Sequence, residues 1–309
     1  MFRLDRSLSV NLFGPLAGLA KNSIFRVPIL MYHSISNDAE EGVHPYYRVN
    51  VTPEVFTRQM DYMAEHGYRV IGLEEACGLL LSKGCAKKNR SESEGKYAVI
   101  TFDDGFLDFY TGAFPVLARH DFTATVFLPS SFIGKKEAIS GKKFLSWQQV
   151  NELAGAGMTF GSHTATHACL TELPRPDLEL ELRNSREVIE DKTGRSVRAF
   201  SYPFAFPEHN KEFVVFLRSA LECCGYSCAV TTSIGAARSF AGKNGEEDTF
   251  FLRRLPVNDC DDIRLLRAKM TGGYDWMHSA QYAAKSLKGL LRVNRRGKIV
   301  KWVPPREHS

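Results

Sequence analysis

The chain has 309 residues and a formal net charge of +5, with 44% hydrophobic and 24% charged residues. That is the make-up of an ordinary soluble globular protein with one large α/β domain or two smaller ones, and it is too mildly basic to indicate nucleic acid, for which no motif is present. The seven cysteines lack zinc-finger spacing and read as small buried hydrophobes of a reducing compartment rather than as a disulfide framework; no apolar run approaches the ~20 residues of a membrane-spanning helix.

Residues 1–26 read as an N-terminal extension. Met1 to Arg6 is basic, and Leu8 to Ala20 is partly apolar. Asn11, Gly14 and Pro15 interrupt that run, so a retained extension is expected rather than a signal peptide. Val27 to Tyr32 is the first strand. Thr52 caps a helix with Pro53 in its first turn, Phe56, Met60 and Met63 give it an apolar stripe, and Gly67 ends it. Strands follow at Tyr68–Ile71, at the run ending in Asp103, and at Thr123–Leu128, Met158–Gly161, Ala199–Tyr202, Ser227–Thr232 and Phe250–Val257. Helices are expected at Phe114–Arg119, Trp147–Ala154, Pro176–Asp191 and Lys211–Cys223. This β-α alternation from 27 to about 272 implies one domain with a parallel sheet and right-handed crossovers. Seven or eight strands favour closure into a barrel, whose strand ends converge on one face. Residues 273–309 form a tail, basic and amphipathic from Lys285, that reads as solvated or as a contact with an anionic membrane surface or a partner complex.

Two segments carry chemistry. Tyr97 to Asp103 is a buried strand that delivers Asp103 and Asp104 and breaks at Gly105. Where a strand gives way to a loop, both carboxylates can turn into one site, one holding a metal and the other free as a base. Some sixty residues on, a second strand runs into Ser162-His-Thr-Ala-Thr-His167. His163 and His167 are four apart, and in a helical turn that spacing puts both imidazoles on one face. One carboxylate and two histidines leave coordination positions open for water or substrate. Asp-Asp-Gly alone is often a solvated turn, and a lone histidine pair is often coincidence. Together, at two strand ends, they are far more specific.

These residues resemble the motifs of the polysaccharide deacetylase (NodB-homology) family. Thr101-Phe-Asp-Asp-Gly105 is similar to its first motif, Ser162–His167 to its second and Phe200-Ser-Tyr-Pro-Phe-Ala205 to its third. Pro28-Ile-Leu-Met-Tyr-His-Ser-Ile35 resembles the opening strand of the branch containing poly-N-acetylglucosamine deacetylases. The resemblance implies a distorted (β/α)7-8 barrel and a metal-dependent hydrolase that removes N-acetyl groups from N-acetylglucosamine-containing saccharides in exopolysaccharide biosynthesis. Asp104, His163 and His167 would hold a divalent ion, zinc first and cobalt or nickel as alternatives. Asp103 would be the general base and His33 the acid for the leaving amine. Tyr202 and Phe204 would line the substrate and oxyanion position. Arg254 would pair with Asp103, in place of the arginine that many relatives carry where Ser201 stands. Ala205 replaces a glycine of the third motif and is expected to shift the oxyanion backbone. His278 lies outside a strand pattern. An O-acetyl carbohydrate esterase and a catalytically silent carbohydrate-binding relative are the alternatives. The weak export signal and the cysteine content lead to the expectation of a cytoplasmic enzyme, with the basic tail as a route to membrane association.

Overall fold

The computed structural model describes residues 3–19, 25–38, 40, 42–44, 48–85, 95–135, 142–239 and 248–283. The basic segment from Lys285 lies outside the described residues. A helical stretch opens the structure: α1 (Leu4–Leu8), a wider π-helical turn (Ser9–Phe13) and α2 (Gly14–Leu19). Then come β1 (Arg26–Val27), β2 (Ile29–Tyr32), β3 (Ser34–Ile35), β4 (Asn50–Val51), α3 (Pro53–Glu65), β5 (Tyr68–Val70), α4 (Leu73–Cys85) and β6 (Lys96–Phe102). The second half holds α5 (Phe114–Arg119), β7 (Thr125–Leu128), α6 (Trp147–Gly155), β8 (Thr159–Ser162), α7 (Arg175–Thr193), β9 (Ala199–Ser201), α8 (Lys211–Cys223), β10 (Cys228–Ile234), β11 (Ala237–Arg238), β12 (Leu252–Pro256) and α9 (Ile263–Met270).

The strands run β2-β12-β10-β9-β8-β7-β6, and β6 pairs back onto β2. Every pairing in that ring is parallel, so seven strands close a barrel. β5 pairs only with the first half of β6, at Lys96 to Ala98, outside the ring. Parallel strands are covered on both faces and therefore read as apolar runs, as the five consecutive buried residues of β6 do. Successive side chains alternate in direction. Leu30, Ile100 and Val126 join Phe56, Met60 and Leu117 of the helices in one cluster, while Ile29, Val99, Phe127 and Ala199 belong to the other, inside the barrel. Gly161 is required there, because a Cβ on it would stand 2.5 Å from the Phe127 ring.

The helices start where local chemistry satisfies their first N–H groups. Thr52 accepts from Val55 N–H (3.4 Å), with Pro53 following. Ser146 and Gln149 form a reciprocal capping box on α6. The N-terminal helical stretch packs on residues near the end of the domain. Phe13 stacks on Trp276 (5.3 Å), whose indole N–H donates to Ser9 Oγ (3.0 Å). Arg3 reaches the buried Asp261 (2.9 Å). Among the described residues no helix is long and apolar enough to cross a membrane.

Candidate active site

Asp103 follows the last residue of β6, and its N–H still donates to Tyr32 O (3.0 Å), so it keeps the strand's direction. Asp104 does not. Its φ is 69°, and Gly105 N–H donates back to Asp103 O (2.9 Å), closing a tight three-residue turn. This turn separates the two carboxylates. Gly105 itself has φ 64°, and a Cβ on it would meet Leu128 at 2.8 Å.

The Asp103 side chain points into the barrel and is 2% exposed. There it meets Arg254 of β12, which is fully buried. The Arg254 guanidinium donates to both Asp103 oxygens (2.7 Å each), to Thr101 Oγ1 (3.2 Å), to Ser201 Oγ (3.0 Å) and to Thr231 O (3.0 Å). All its N–H directions are thereby used. The Ser201 hydroxyl in turn donates to Asp103 (3.1 Å). Burial would raise the Asp103 pKa, but Arg254, with help from His163, holds it well below the usual carboxylate range. His33, at the end of β2, has Nε2 3.9 Å from Asp103 Oδ2 and keeps a partly open face.

Asp104 Oδ1 lies 3.2 Å from His167 Nε2 and 3.5 Å from His163 Nε2. One ligand atom from each of the three falls within 4.8 Å of the others. His163 Nδ1 lies 2.8 Å from Ser201 O. A proton on that nitrogen leaves Nε2 unprotonated and facing Asp104, the second-sphere arrangement of a metal-bound imidazole. Burial pushes the His163 pKa down to about 4, so the ring is neutral near pH 7. Burial works against ionised Asp104 as well, yet the histidines lower its pKa. Burial also works against a charged His167 ring, but its hydrogen bond to Asp104 raises the His167 pKa, so a cation bound there would displace a proton. Two imidazoles and an ionised carboxylate are a donor set that can hold a divalent cation.

The segment carrying the histidines is a loop. The helical turn expected from the four-residue spacing is absent, because Thr164 (φ 66°) and His167 (φ 55°) are left-handed. Glu181 of α7 holds this shape, accepting from Ala165 N–H (2.8 Å), Thr166 N–H (2.9 Å) and Thr166 Oγ1 (2.8 Å). Nothing in the spacing pointed to Glu181, and Ser201 stood out only as a departure from the third motif.

The loop after β9 brings Phe204 to the site, its ring 4.7 Å from that of His167 and half exposed. The left-handed residue of this loop is Phe204 (φ 59°). Ala205 keeps an ordinary φ, so its Cβ imposes no strain of the kind expected from the lost glycine. Among the described residues Phe204 N–H has no hydrogen-bond partner. Tyr202 is placed differently. Its N–H donates to Val230 O (3.0 Å), and its ring is buried edge-on to Phe206. His278 lies 3.9 Å from Glu208 on the far side of the same loop.

A family model described as polysaccharide deacetylase matches residues 90–226, which hold Asp103, Asp104, His163, His167 and Phe204. The chain belongs to the polysaccharide deacetylase family. It is 32% identical over 212 residues to the YxkH protein of Bacillus subtilis (strain 168), a match covering 69% of this chain and 66% of that relative. A 145-residue stretch is 24% identical to the poly-beta-1,6-N-acetyl-D-glucosamine N-deacetylase of Escherichia coli (strain K12), covering 44% of this chain and 20% of that one. The chain thus spans just under two thirds of the first relative and a fifth of the second. The same fold occurs in the Streptococcus pyogenes deacetylase PplD, solved in complex with acetate, with a TM-score of 0.66, 24% identity, and coverage of 80% of this chain and 99% of that one. The deacetylase domain's closed barrel is therefore shared well beyond the family-model span.

Proposed function

We propose that this deacetylase domain is a metal-dependent amidohydrolase that removes N-acetyl groups from N-acetylglucosamine-containing oligo- or polysaccharide and releases acetate. The observation that carries the reading is the meeting of an Asp104–His163–His167 ligand set with a separately oriented Asp103 and a partly exposed His33 at one end of the barrel. A divalent cation held by that set, with zinc favoured by the two imidazoles, would supply Lewis-acid polarisation of the acetyl carbonyl and a more acidic water.

The chain's own residues then have distinct tasks. Asp103, ionised and fixed by Arg254, accepts the proton of the attacking water. Phe204 N–H donates to the carbonyl oxygen as charge develops on it. His33 gives a proton to the departing amine nitrogen, so the products are acetate and a free glucosamine amine. The half-exposed Phe204 ring offers a face to the sugar.

The test is acetate release from N-acetylglucosamine oligomers by zinc-loaded protein beside Asp103→Asn. Removing the base is expected to lower the rate about 10²–10⁴-fold while zinc stoichiometry holds. Release from acetylated xylan but not from the N-acetyl oligomers would replace the amide reading with an ester one.

A further inference from the structure

One hydroxyl spans the turn that carries Phe204. Thr232, near the end of β10, donates to Phe204 O (2.9 Å) and accepts from Phe206 N–H (3.0 Å). Phe204 sits between these bonds at φ 59°. A bulky aromatic residue holds a left-handed conformation only where its surroundings over-determine it, and such strain gathers at functional sites. The Thr232 hydroxyl has both its donor and an acceptor direction committed to this loop. It is no neighbour of Asp104, His163 or His167 in any hydrogen bond.

Thr232 is itself held from behind. Its carbonyl accepts from Gln281 Nε2 (3.3 Å), and Gln281 Oε1 accepts from Ile234 N–H (3.1 Å). Gln281 lies in the helical residues 276–283. Beside it, Ser233 Oγ donates to Glu208, four residues beyond Phe204. The end of β10 and this last described helix therefore grip the Phe204 loop from one side, while His167 meets it from the other.

We infer that Thr232 is a positioning residue for the reaction proposed above: its hydroxyl fixes the Phe204 N–H at the place where the acetyl oxygen gains charge. The inference rests on that reading and adds to it a residue outside all the sequence motifs. The Thr232 hydroxyl bonds the backbone on either side of Phe204, so it acts through Phe204.

The experiment measures kcat and KM on an N-acetylglucosamine oligomer, zinc content and thermal midpoint for wild type, Thr232→Val and Thr232→Ser. Valine keeps the shape and the strand preference but loses the hydroxyl. It is expected to lower kcat roughly 10- to 100-fold, the scale of a misplaced or missing oxyanion donor, with KM and zinc content unchanged. Serine is expected to restore most of kcat. A Thr232→Val enzyme with wild-type kcat, or a loss that serine does not restore, would overturn the inference. Gln281→Ala, which loosens Thr232 from the helix side, is the second variant should valine impair folding. Lower kcat at constant KM supports the inference, and unchanged kcat refutes it. Wild type that releases no acetate defeats the underlying reading and the inference with it. Active wild type with an unaffected valine variant defeats the inference alone.

Discussion

Arg254 has no freedom left: its guanidinium is buried and every N–H is engaged. Asp103 depends on it, since a buried carboxylate without a partner is costly. Arg254→Met is therefore expected to destabilise the protein by about 3–5 kcal/mol at pH 7. The sign with pH follows from the two environments. With Arg254 present, the Asp103 pKa is depressed in the folded protein, so its contribution is complete above the ordinary carboxylate value of about 4 and fades below it. With methionine in place, burial acts without its main opponent and raises the pKa, so acid relieves the variant by protonating Asp103. The gap between wild type and variant should narrow from pH 7 to pH 5 in urea denaturation of the chelated proteins. An equal gap at both pH values would show that Arg254 does not govern Asp103. At this scale Asp103, Asp104, His163 and His167 were legible from their motifs, and Arg254 from its place in Leu252-Arg-Arg-Leu. Ser201 was not, because a serine becomes a partner of an ion pair only through the fold that brings β6, β9 and β12 together.

Elements explain what spacing alone misread. Four residues between histidines fit a helical turn, but the chain at Thr164 and His167 takes left-handed backbone that no helix tolerates. Glu181 enforces it from 15 to 16 residues away, on α7. Such a contact has no local signature, so the sequence showed two ligands and not the device that aims them. Glu181→Ala leaves two backbone N–H groups of the loop without their acceptor. Outer-sphere supports of this kind are worth roughly 10- to 100-fold in metal affinity. A competition titration against a zinc-binding dye should show that loss, with the thermal midpoint of the metal-free protein little changed. Unaltered zinc affinity would mean that the loop keeps its shape without Glu181. The ring strands and helices α3, α5, α6, α7 and α8 were readable within a few residues, because caps and stripes are local, whereas the two-residue strands β3, β4 and β11 and helix α9 were not. Thr52 with Val55 and Ser146 with Gln149 begin helices by contacts three residues apart.

For the whole molecule, β-α alternation was enough to expect a barrel, since parallel strands need crossovers of one hand. The number of strands in the ring was not readable. It depends on β6 pairing with β2 over four residues while β5 stays outside, a choice between long-range partners. Equally hidden was the role of residues 3–19, whose sequence suggested an extension. Their helical stretch is joined to the end of the domain by the Phe13–Trp276 stack, the Trp276–Ser9 hydrogen bond, the Tyr274–Asp5 hydrogen bond (3.0 Å) and the Arg3–Asp261 ion pair. Asp261 also binds the buried Lys269 (2.5 Å), so the first turn completes a charge network inside the fold. Trp276 belongs to the helical residues 276–283 that also carry Gln281, which ties this contact to the end that grips the Phe204 loop. Trp276→Ala removes the stacking face and the hydrogen-bond donor together. A loss of about 2 kcal/mol, within the usual range for a partly buried aromatic, should lower the thermal midpoint by several degrees. Residues 3–19 should be released first, so limited proteolysis should cut there in the variant before it cuts the barrel. An N-terminal segment as protease-resistant in the variant as in wild type would show that the charge network alone holds it.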